Sequence, residues 1–380
     1  MNRHLLALLA LAALMRPVHG ETLEANFSSA ASVPLTAAGY TASGNDVHFT
    51  LSFEPTPGTR LTVVQNTGLA FLAGQFSNLA QGQTVNLTYA GNSYAFVANY
   101  CGGNGRSLVL EWPGAAVSAW GANAYEQLGN GGVNDHVEPV PVVTGGVLAG
   151  KTIIGIAAGQ FHSVAVTADG RAFGWGDKYP SSQVNSQVGN RSTVPVAVDT
   201  SGVLAGKTLV AVTAGGTSSV ALASDGTAYS WAGAATPVAI DTSGVLADKS
   251  LVAVAGGYVH NLGLTSEGRV VGWGSYTGVG NNSQANSSVP VATDVSGVLA
   301  GKTISAIAAG YDFSLAVSSD GRVYSWGFNT VGQLGNNSTT QSLVPVAVNT
   351  SGALAGKTIT AVAAGMYHSL ALSSDGKVFA

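Results

Sequence analysis

Charged residues are scarce in this chain of 380 residues. Asp, Glu, Lys and Arg together make up 9% of it, whereas an average soluble domain has about 25%. The formal net charge is −4, and no run of Lys or Arg occurs. The chain therefore lacks the concentrated basic patch with which proteins hold nucleic acid or an anionic membrane. Hydrophobic residues reach 46%, which excludes disorder driven by low apolarity.

Cysteine is nearly absent as well. Cys101 is the only one, so the chain can form neither an internal disulfide nor a thiolate zinc site, and the redox compartment stays undecided. A reactive thiol requires an electropositive setting, which the sequence around Cys101 does not provide.

Long hydrophobic runs are limited to residues 5–14, which are too few to cross about 30 Å of hydrocarbon as a helix. Arg3 precedes the run, and Val18 and Gly20 place small residues before a cleavage point. This pattern predicts a secretory signal peptide over residues 1–20, cleaved after Gly20, and hence a secreted or cell-surface protein with no membrane span. A buried N-terminal helix is the alternative.

Catalytic sequence motifs are missing too. The chain has no His-Glu-x-x-His, no EF-hand loop and no Gly-x-Ser-x-Gly. The segment Ser319-Asp320-Gly321 resembles the aspartate box of sialidases only superficially, and nearly all acidic residues that can be placed lie in repeated turns, which leaves no carboxylate pair for glycoside hydrolysis. The sequence therefore predicts no catalytic site, no metal site and no cofactor.

Residues 21–113 alternate apolar and polar residues in short runs separated by glycine-rich turns. Because no helical period appears, they are predicted to form a small all-β module. Its second half, residues 74–110, resembles a terminal segment of secreted, repeat-rich bacterial surface proteins of autotransporter type. Cys101 stands where that segment usually has a tyrosine, so we interpret the thiol as a tyrosine replacement.

Residues 114–380 repeat one sequence unit. The unit contains Ala-Gly-Lys-Thr, then Ala-Ala-Gly-x-x-His-Ser-x-Ala, then Asp-Gly, then Trp-Gly, then a polar loop with Leu-Gly-Asn and finally Val-Pro-Val. Five copies are visible, and the third is short. Their lysines are Lys151, Lys207, Lys249, Lys302 and Lys357.

Each unit contains four short segments of period two, which in the first complete unit are residues 153–158, 162–167, 171–175 and 194–198. Tight turns between them predict a four-stranded antiparallel meander with strands A to D. Such a sheet cannot bury both faces alone, but copies stacked around an axis can. The predicted fold is an all-β chain, with a β-propeller of four-stranded antiparallel blades following the small all-β module.

Small residues and tryptophans fit this geometry. Strand A ends in Ala-Ala-Gly or a similar triplet, as expected where sheets crowd around an axis. Tryptophans recur at one place in the unit, where their rings can fill the space between blades; surface rings for ligand binding are the alternative. They are Trp120, Trp175, Trp231, Trp273 and Trp326.

Histidines recur at the start of strand B, at His162, His260 and His368. Because Ser218 and Phe313 take the same place in the other units, we predict a structural hydrogen bond there; a metal site would need ligands within a few ångströms, and these lie on different blades. Residues 134–138 gather Asn, Asp, His and Glu. A solvated loop is favoured there over a calcium site, which would need six to eight oxygens.

The topology assigns loops to two faces. The B–C turns and D–A loops share the turn face, where lysine–aspartate contacts are expected to contribute little. The A–B and C–D loops share the loop face and carry aromatic rings, which is typical of protein-binding faces; the alternative is that the A–B rings only cover the core. The candidate binding residues are Phe161, Tyr258, Tyr311 and Tyr367 in A–B loops, and Tyr125, Tyr179, Tyr276 and Phe328 in C–D loops.

Residues 365–376, with His368 and Asp375-Gly376, and residues 326–336, with Trp326-Gly327 and Leu334-Gly335-Asn336, resemble the regulator of chromosome condensation repeat (alpha-tubulin suppressor-like), in a secreted bacterial form. The resemblance covers about residues 117–380. The third unit departs from it by lacking the Leu-Gly-Asn loop.

The resemblance implies seven blades, whereas about five units are present. We therefore expect a chain truncated at Ala380. The alternative is a five-bladed ring whose last sheet is completed by the strands near residues 117–120 and 139–143.

Three functions follow from the fold and the resemblance. The leading hypothesis is a secreted, non-catalytic, monomeric propeller that binds a protein or glycan, since secreted relatives include inhibitors that cap β-lactamases. The second is nucleotide exchange on a small GTPase with chromatin docking, as in nuclear members. The third is a polysaccharide-active enzyme, for which only fold analogy speaks.

Overall fold

The structure, a computed structural model, describes residues 20–56, 58–102, 105–112, 117–177, 191–216, 218–231, 236–274 and 277–380. The predicted signal peptide therefore lies outside the described residues, except for Gly20. Within the described residues no helix is long and apolar enough to cross a membrane.

The first seven strands form the small all-β module. β1 and β3 pair in parallel, and a second sheet has the order β2-β4-β7-β6-β5. Phe27, Phe96 and Leu61 are fully buried between them. The alternating pattern predicts strands but not parallel pairs, because these join segments distant in sequence. The strands are β1 Thr22–Phe27, β2 Leu35–Ala37, β3 Asp46–Leu51, β4 Arg60–Asn66, β5 Thr84–Tyr89, β6 Asn92–Gly102 and β7 Ser107–Glu111.

The remaining strands form the repeated sheets. They are β8 Ser118–Gly121, β9 His136–Pro141, β10 Ile153–Ala158, β11 His162–Thr167, β12 Ala172–Asp177, β13 Arg191–Ala197, β14 Leu209–Ala214, β15 Ser219–Ala223, β16 Ala228–Trp231, β17 Val238–Ala239, β18 Leu251–Gly256, β19 His260–Thr265, β20 Val270–Gly274, β21 Ser287–Ala292, β22 Ile304–Ala309, β23 Phe313–Ser318, β24 Val323–Gly327, β25 Ser342–Ala347, β26 Ile359–Ala364, β27 Ser369–Ser373 and β28 Val378–Phe379. Single-turn 3₁₀ helices lie at Gly146–Leu148, Gly202–Leu204, Gly244–Leu246 and Thr277–Val279.

The sheets confirm the predicted meander. β10 to β13, β14 to β17, β18 to β21 and β22 to β25 each form a four-stranded antiparallel sheet in sequence order. In the first of them, strands A and B have the predicted bounds. Strand C, Ala172–Asp177, extends two residues beyond the prediction, and strand D, Arg191–Ala197, begins three residues before it.

Glycines allow the sheets to meet at the axis. A Cβ atom added to Gly215 would lie 2.2 Å from the carbonyl oxygen of Gly257, and one added to Gly159 would lie 2.4 Å from that of Gly215. Across these contacts the backbone of Gln160 donates a hydrogen bond to Gly215 at 3.3 Å, and that of Tyr258 to Gly310 at 3.0 Å. Any side chain there would separate neighbouring blades, which explains the small triplet at the end of strand A.

Four tryptophans fill the spaces between blades as predicted. Trp175, Trp231, Trp273 and Trp326 are at most 7% exposed. Each packs against the sheet that precedes its own; Trp231, for example, contacts the cluster of Val164 and Val166.

The prediction is wrong for Trp120, which is 62% exposed. This ring belongs to the two-stranded sheet β8–β9, and no repeated sheet precedes it among the described residues. The packing partner is therefore missing there, although the sequence register is the same.

The alternative of a five-bladed ring closed by the N-terminal strands is also wrong. Among the described residues, β8 and β9 pair only with each other, and β28 takes the third place in the last sheet, after β26 and β27. The expected truncation stays a prediction.

The small module packs against part of the turn face of the propeller. Phe71 packs against two inter-blade clusters, one around Trp273 and the other around Trp326. The side-chain nitrogen of Gln81 donates a hydrogen bond to the carbonyl of Ala168, beside a B–C turn, at 3.3 Å. Cys101 joins the first cluster. Among the described residues, these contacts of the module all lie on the turn face.

Candidate binding face

A pair of hydrogen bonds to one loop carbonyl, which we call a clasp, recurs between neighbouring blades at the loop face. The carbonyl of Gln127, in the first C–D loop, accepts hydrogen bonds from Ser163 Oγ at 2.8 Å and Trp175 Nε1 at 2.9 Å. The carbonyl of Gly278 accepts the same pair from Ser314 Oγ and Trp326 Nε1, each at 2.7 Å. Each clasp ties a loop to the B and C strands of the next blade. No role was predicted for Ser163 or Ser314, although a serine recurs directly after the histidine position.

The histidines form the structural hydrogen bonds that the sequence predicts in two blades. His162 Nε2 lies 2.9 Å from Ser219 Oγ, and His260 Nε2 lies 2.8 Å from Ser314 Oγ. Burial lowers the pKa of both, that of His260 to about 4. A neutral imidazole bonded to a serine between blades is a packing element. His368, in the last sheet, is exposed.

Two asparagines that the sequence analysis missed shape the C–D loops. Asn329 is fully buried; its Nδ2 donates to the carbonyls of Ser338 and Thr340, and its Oδ1 accepts from the backbone of Leu334. Asn123 makes the matching bond to Leu128. The sequence contains a signal for these asparagines, because each of them follows the Trp of its unit by three residues.

Two residues of the cluster at residues 134–138 form hydrogen bonds to asparagines of the first C–D loop. Asp135 accepts a hydrogen bond from the backbone of Asn123 at 2.6 Å, and His136 Nε2 lies 2.9 Å from Asn130 Nδ2. In the part of the chain that the structure describes, no three His, Cys, Asp or Glu side chains gather as a metal site would require.

Three of the predicted aromatic residues form a row on the loop face. The rings of Tyr258 and Tyr311 stack with centroids 4.3 Å apart, and Tyr311 lies 5.5 Å from Tyr367. Tyr367 is 44% exposed, and its neighbour Met366 is 49% exposed. We call Tyr258, Tyr311 and Tyr367 the tyrosine row. The row joins three neighbouring blades.

A second aromatic group lies at the first blades. The ring centroids of Tyr125 and Phe161 are 4.4 Å apart. The guanidinium of Arg191 lies over the Tyr125 ring, 4.7 Å from its centroid, and its Nη1 donates to the carbonyl of Ala124 at 3.0 Å. Phe328 is half-buried, and no aromatic contact joins it to either group among the described residues. Tyr179 and Tyr276 lie outside the described residues.

A cavity of about 230 Å³ opens beside the tyrosine row. Its walls are the A–B turns of five blades, and the larger side chains that line it are Gln160, Tyr258, Tyr311 and Met366. None of its lining residues is charged. A concave opening with aromatic side chains beside it is typical of the pockets at protein hot spots.

The turn face carries the predicted lysine–acid rim. Lys207 reaches Asp225 at 2.6 Å, and Lys302 reaches Asp320 at 2.7 Å. Hydrogen bonds from Lys302 and Ser318 lower the pKa of Asp320 to about 2. All five repeats have such a pair; the other three are Lys151–Asp169, Lys249–Glu267 and Lys357–Asp375.

Cys101 has no feature of a reactive thiol. It packs against the inter-blade cluster that includes Phe71, and burial raises its pKa to about 12. A thiol that stays protonated at neutral pH is a poor nucleophile. This agrees with its interpretation as a replacement for a packed tyrosine.

Antiparallel sheets stand around one axis, and the hydrogen bonds of Trp and Ser side chains to loop carbonyls connect neighbouring sheets. This arrangement defines a repeat β-propeller. Two family models, both described as Regulator of chromosome condensation (RCC1) repeat, match it, one over residues 116–166 and 320–372 and the other over residues 251–277 and 304–333. The matched segments are therefore RCC1 repeats, as the sequence predicts.

Similar proteins include regulators of several kinds. The ultraviolet-B receptor UVR8 of Arabidopsis thaliana is 26% identical over 292 residues, 76% of this chain and 53% of that protein. The E3 ubiquitin-protein ligase HERC2 of Mus musculus is 30% identical over 258 residues, 67% of this chain and 4% of that protein. The chain thus spans about half the length of the first relative and a small part of the second.

Two solved structures share the fold. Human WBSCR16 has a TM-score of 0.57 and 22% identity, over 70% of this chain and 69% of that chain. Prp20p of Saccharomyces cerevisiae, described with binding properties to Gsp1p and histones, has a TM-score of 0.58 and 22% identity, over 69% of this chain and 65% of that chain.

Proposed function

We propose that the chain is a secreted or cell-surface, non-catalytic propeller that binds a partner protein through its loop face. The observation that carries the proposal is the tyrosine row beside the axial cavity, with Tyr367 44% exposed. Aromatic side chains around a concave opening dominate the energetics of protein interfaces.

The position of the small module supports this choice of face. Phe71 and Gln81 hold the module against the turn face, and the lysines there are already paired with acids. The loop face remains the large repeated surface that a partner can approach.

Protein is favoured over glycan as the partner. Sugar sites require several directed side-chain hydrogen bonds besides an aromatic platform. The described residues that line the cavity are mostly Ala and Gly, and Gln160 is the only amide side chain among them. The similarity to regulators such as UVR8 and Prp20p is consistent with a binding role. We propose that the chain acts as a monomer.

The proposal is tested by capture from culture medium with the purified chain. A variant with Tyr258→Ala and Tyr367→Ala should lose the captured protein. The control variant, Lys207→Ala with Asp225→Ala on the turn face, should keep it. Equal capture by both variants would refute the assignment of the face. Processing of the leader is read separately, since the mature N-terminus should be Glu21.

A further inference from the structure

Positive charge is concentrated on the turn face. Of the Lys and Arg residues in the repeats, nine lie in its B–C turns and D–A loops: Lys151, Arg171, Lys207, Lys249, Arg269, Lys302, Arg322, Lys357 and Lys377. Six of them are paired with carboxylates of the same blade, and the same turns and loops hold nine acidic residues in all. This face therefore offers little unbalanced charge.

The loop face has the opposite character. Its described loops and the adjoining strand ends contain four carboxylates and one guanidinium, that of Arg191. Lys178, the remaining base of the repeats, lies outside the described residues. A face with more acids than bases attracts cationic partners and repels anionic ones. The carboxylates are Glu126, Asp135, Asp177 and Asp312.

Asp312 places one of these carboxylates in the A–B turn that also carries Tyr311. It follows Tyr311 in the A–B turn and is half-buried. Its Oδ1 accepts a hydrogen bond from the backbone of Gly278 at 3.3 Å, and burial raises its pKa. A nearby cation would compensate for the loss of hydration of this carboxylate.

The protein itself shows which cation suits this face. Arg191 places its guanidinium over the ring of Tyr125 while donating to a loop carbonyl. Guanidinium groups stack on aromatic faces because of the ring quadrupole and their weak hydration. In the A–B turn of the last sheet, the exposed ring of Tyr367 offers a second such platform.

We propose that the loop face binds an arginine-bearing segment of the partner, whose guanidinium stacks on Tyr367 while the excess of carboxylates on this face attracts it. The inference rests on the proposed function, because it names the chemistry of the partner at the same face. Anionic segments are repelled there, and a neutral glycan would gain nothing from the excess of carboxylates.

The test measures binding of synthetic peptides to the full chain by calorimetry at low and high salt. One peptide is a Gly-Ser sequence with two arginines; its matched forms carry lysine or glutamate instead, and a neutral glucose oligosaccharide is the fourth probe. We expect the arginine peptide to bind best, lysine less well and glutamate not at all. Its affinity should fall as salt rises.

Three variants locate the site. Tyr367→Leu should weaken the arginine peptide about 5- to 30-fold, because the ring quadrupole is lost. Tyr367→Phe keeps the ring and should bind like the parent chain. Asp312→Asn should weaken binding and reduce its salt dependence.

Preferred binding of the glutamate peptide or the oligosaccharide would overturn the inference, as would equal affinity of the Leu and parent chains for the arginine peptide. Absence of arginine binding at millimolar peptide would overturn it as well. These results leave the capture experiment untouched: a partner lost with Tyr258→Ala and Tyr367→Ala would still support the loop face. Capture that ignores the loop face would instead refute the proposed function.

Discussion

His260 donates a hydrogen bond from Nε2 to Oγ of Ser314 in the next blade, at 2.8 Å. The direction follows from Ser314, whose hydroxyl proton is committed to the carbonyl of Gly278. The imidazole is therefore neutral with its proton on Nε2, while Nδ1 is buried and has no hydrogen-bond partner among the described residues. A protonated ring would bury an uncompensated charge between two blades.

The first prediction concerns pH. The unfolded chain protonates this histidine near its ordinary pKa of 6.5, whereas the folded protein does so only near pH 4. Above about pH 6.5 this histidine therefore does not lower the free energy of unfolding. As the pH falls from 6.5 towards 4, the free energy of unfolding decreases by about 3 kcal/mol in total. Urea unfolding at several pH values measures this loss.

The control for this prediction is His260→Phe. Phe313 holds the same place in the next unit and is fully buried, so the fold accepts a ring without a proton there, and Ser314 keeps its bond to Gly278. The variant should show a flatter dependence of unfolding free energy on pH between 6.5 and 4. An unchanged slope would show that other groups cause it.

The second prediction contrasts two tryptophans in the same register. Trp326→Ala removes a fully buried ring and its hydrogen bond to Gly278, so the free energy of unfolding should fall by about 3–5 kcal/mol. Trp120→Ala removes a ring that is 62% exposed and should change it by less than about 0.5 kcal/mol. Denaturant unfolding of both variants checks this, and a large loss for Trp120→Ala would mean that its ring is packed.

The third prediction concerns the axis. Gly215→Ala places a Cβ atom 2.2 Å from the carbonyl oxygen of Gly257, so neighbouring blades must move apart, at a cost of about 1–3 kcal/mol. Gly297→Ala is the matched control, because nothing lies within 4 Å of its added Cβ atom. Thermal unfolding should separate the two; equal midpoints would contradict the close approach of the A–B turns.

The fourth prediction tests the contact between the module and the turn face. Phe71→Ala should lower the free energy of unfolding by about 1–3 kcal/mol, since the ring is only partly buried. It should also speed hydrogen exchange at the start of β14 and β18. Val33→Ala, on an exposed part of the module, should do neither. Exchange that is the same in both variants would show that the module does not support the propeller.

Much of the propeller was predictable because its sequence pattern is repeated. The bounds of β10 and β11, the lysine–acid pairs and the histidine bonds all depend on short segments that recur in register. The Tyr125–Phe161 pair and the tyrosine row were predicted as candidates one residue at a time. Which rings touch could not be predicted, because their contacts join different blades.

Trp120 shows that the position of a residue in the repeat does not determine its burial. Its register matches that of Trp175, yet one ring is exposed and the other buried. Register determines where a side chain stands in its own sheet, but the next sheet determines whether the ring is covered. Phe71 could not be assigned either, since nothing local marks a loop residue as a contact to another part of the chain.

The sequence by itself determined the unit: four short strands, a glycine end at the axis, a Trp and a Lys–acid pair, all set by local spacing and by side-chain size. Tertiary structure alone decided which unit lacks a neighbour, which face the module covers and where carboxylates and tyrosines meet. The reason is physical: burial and charge balance are properties of surfaces in contact, and those surfaces come from segments far apart in the chain.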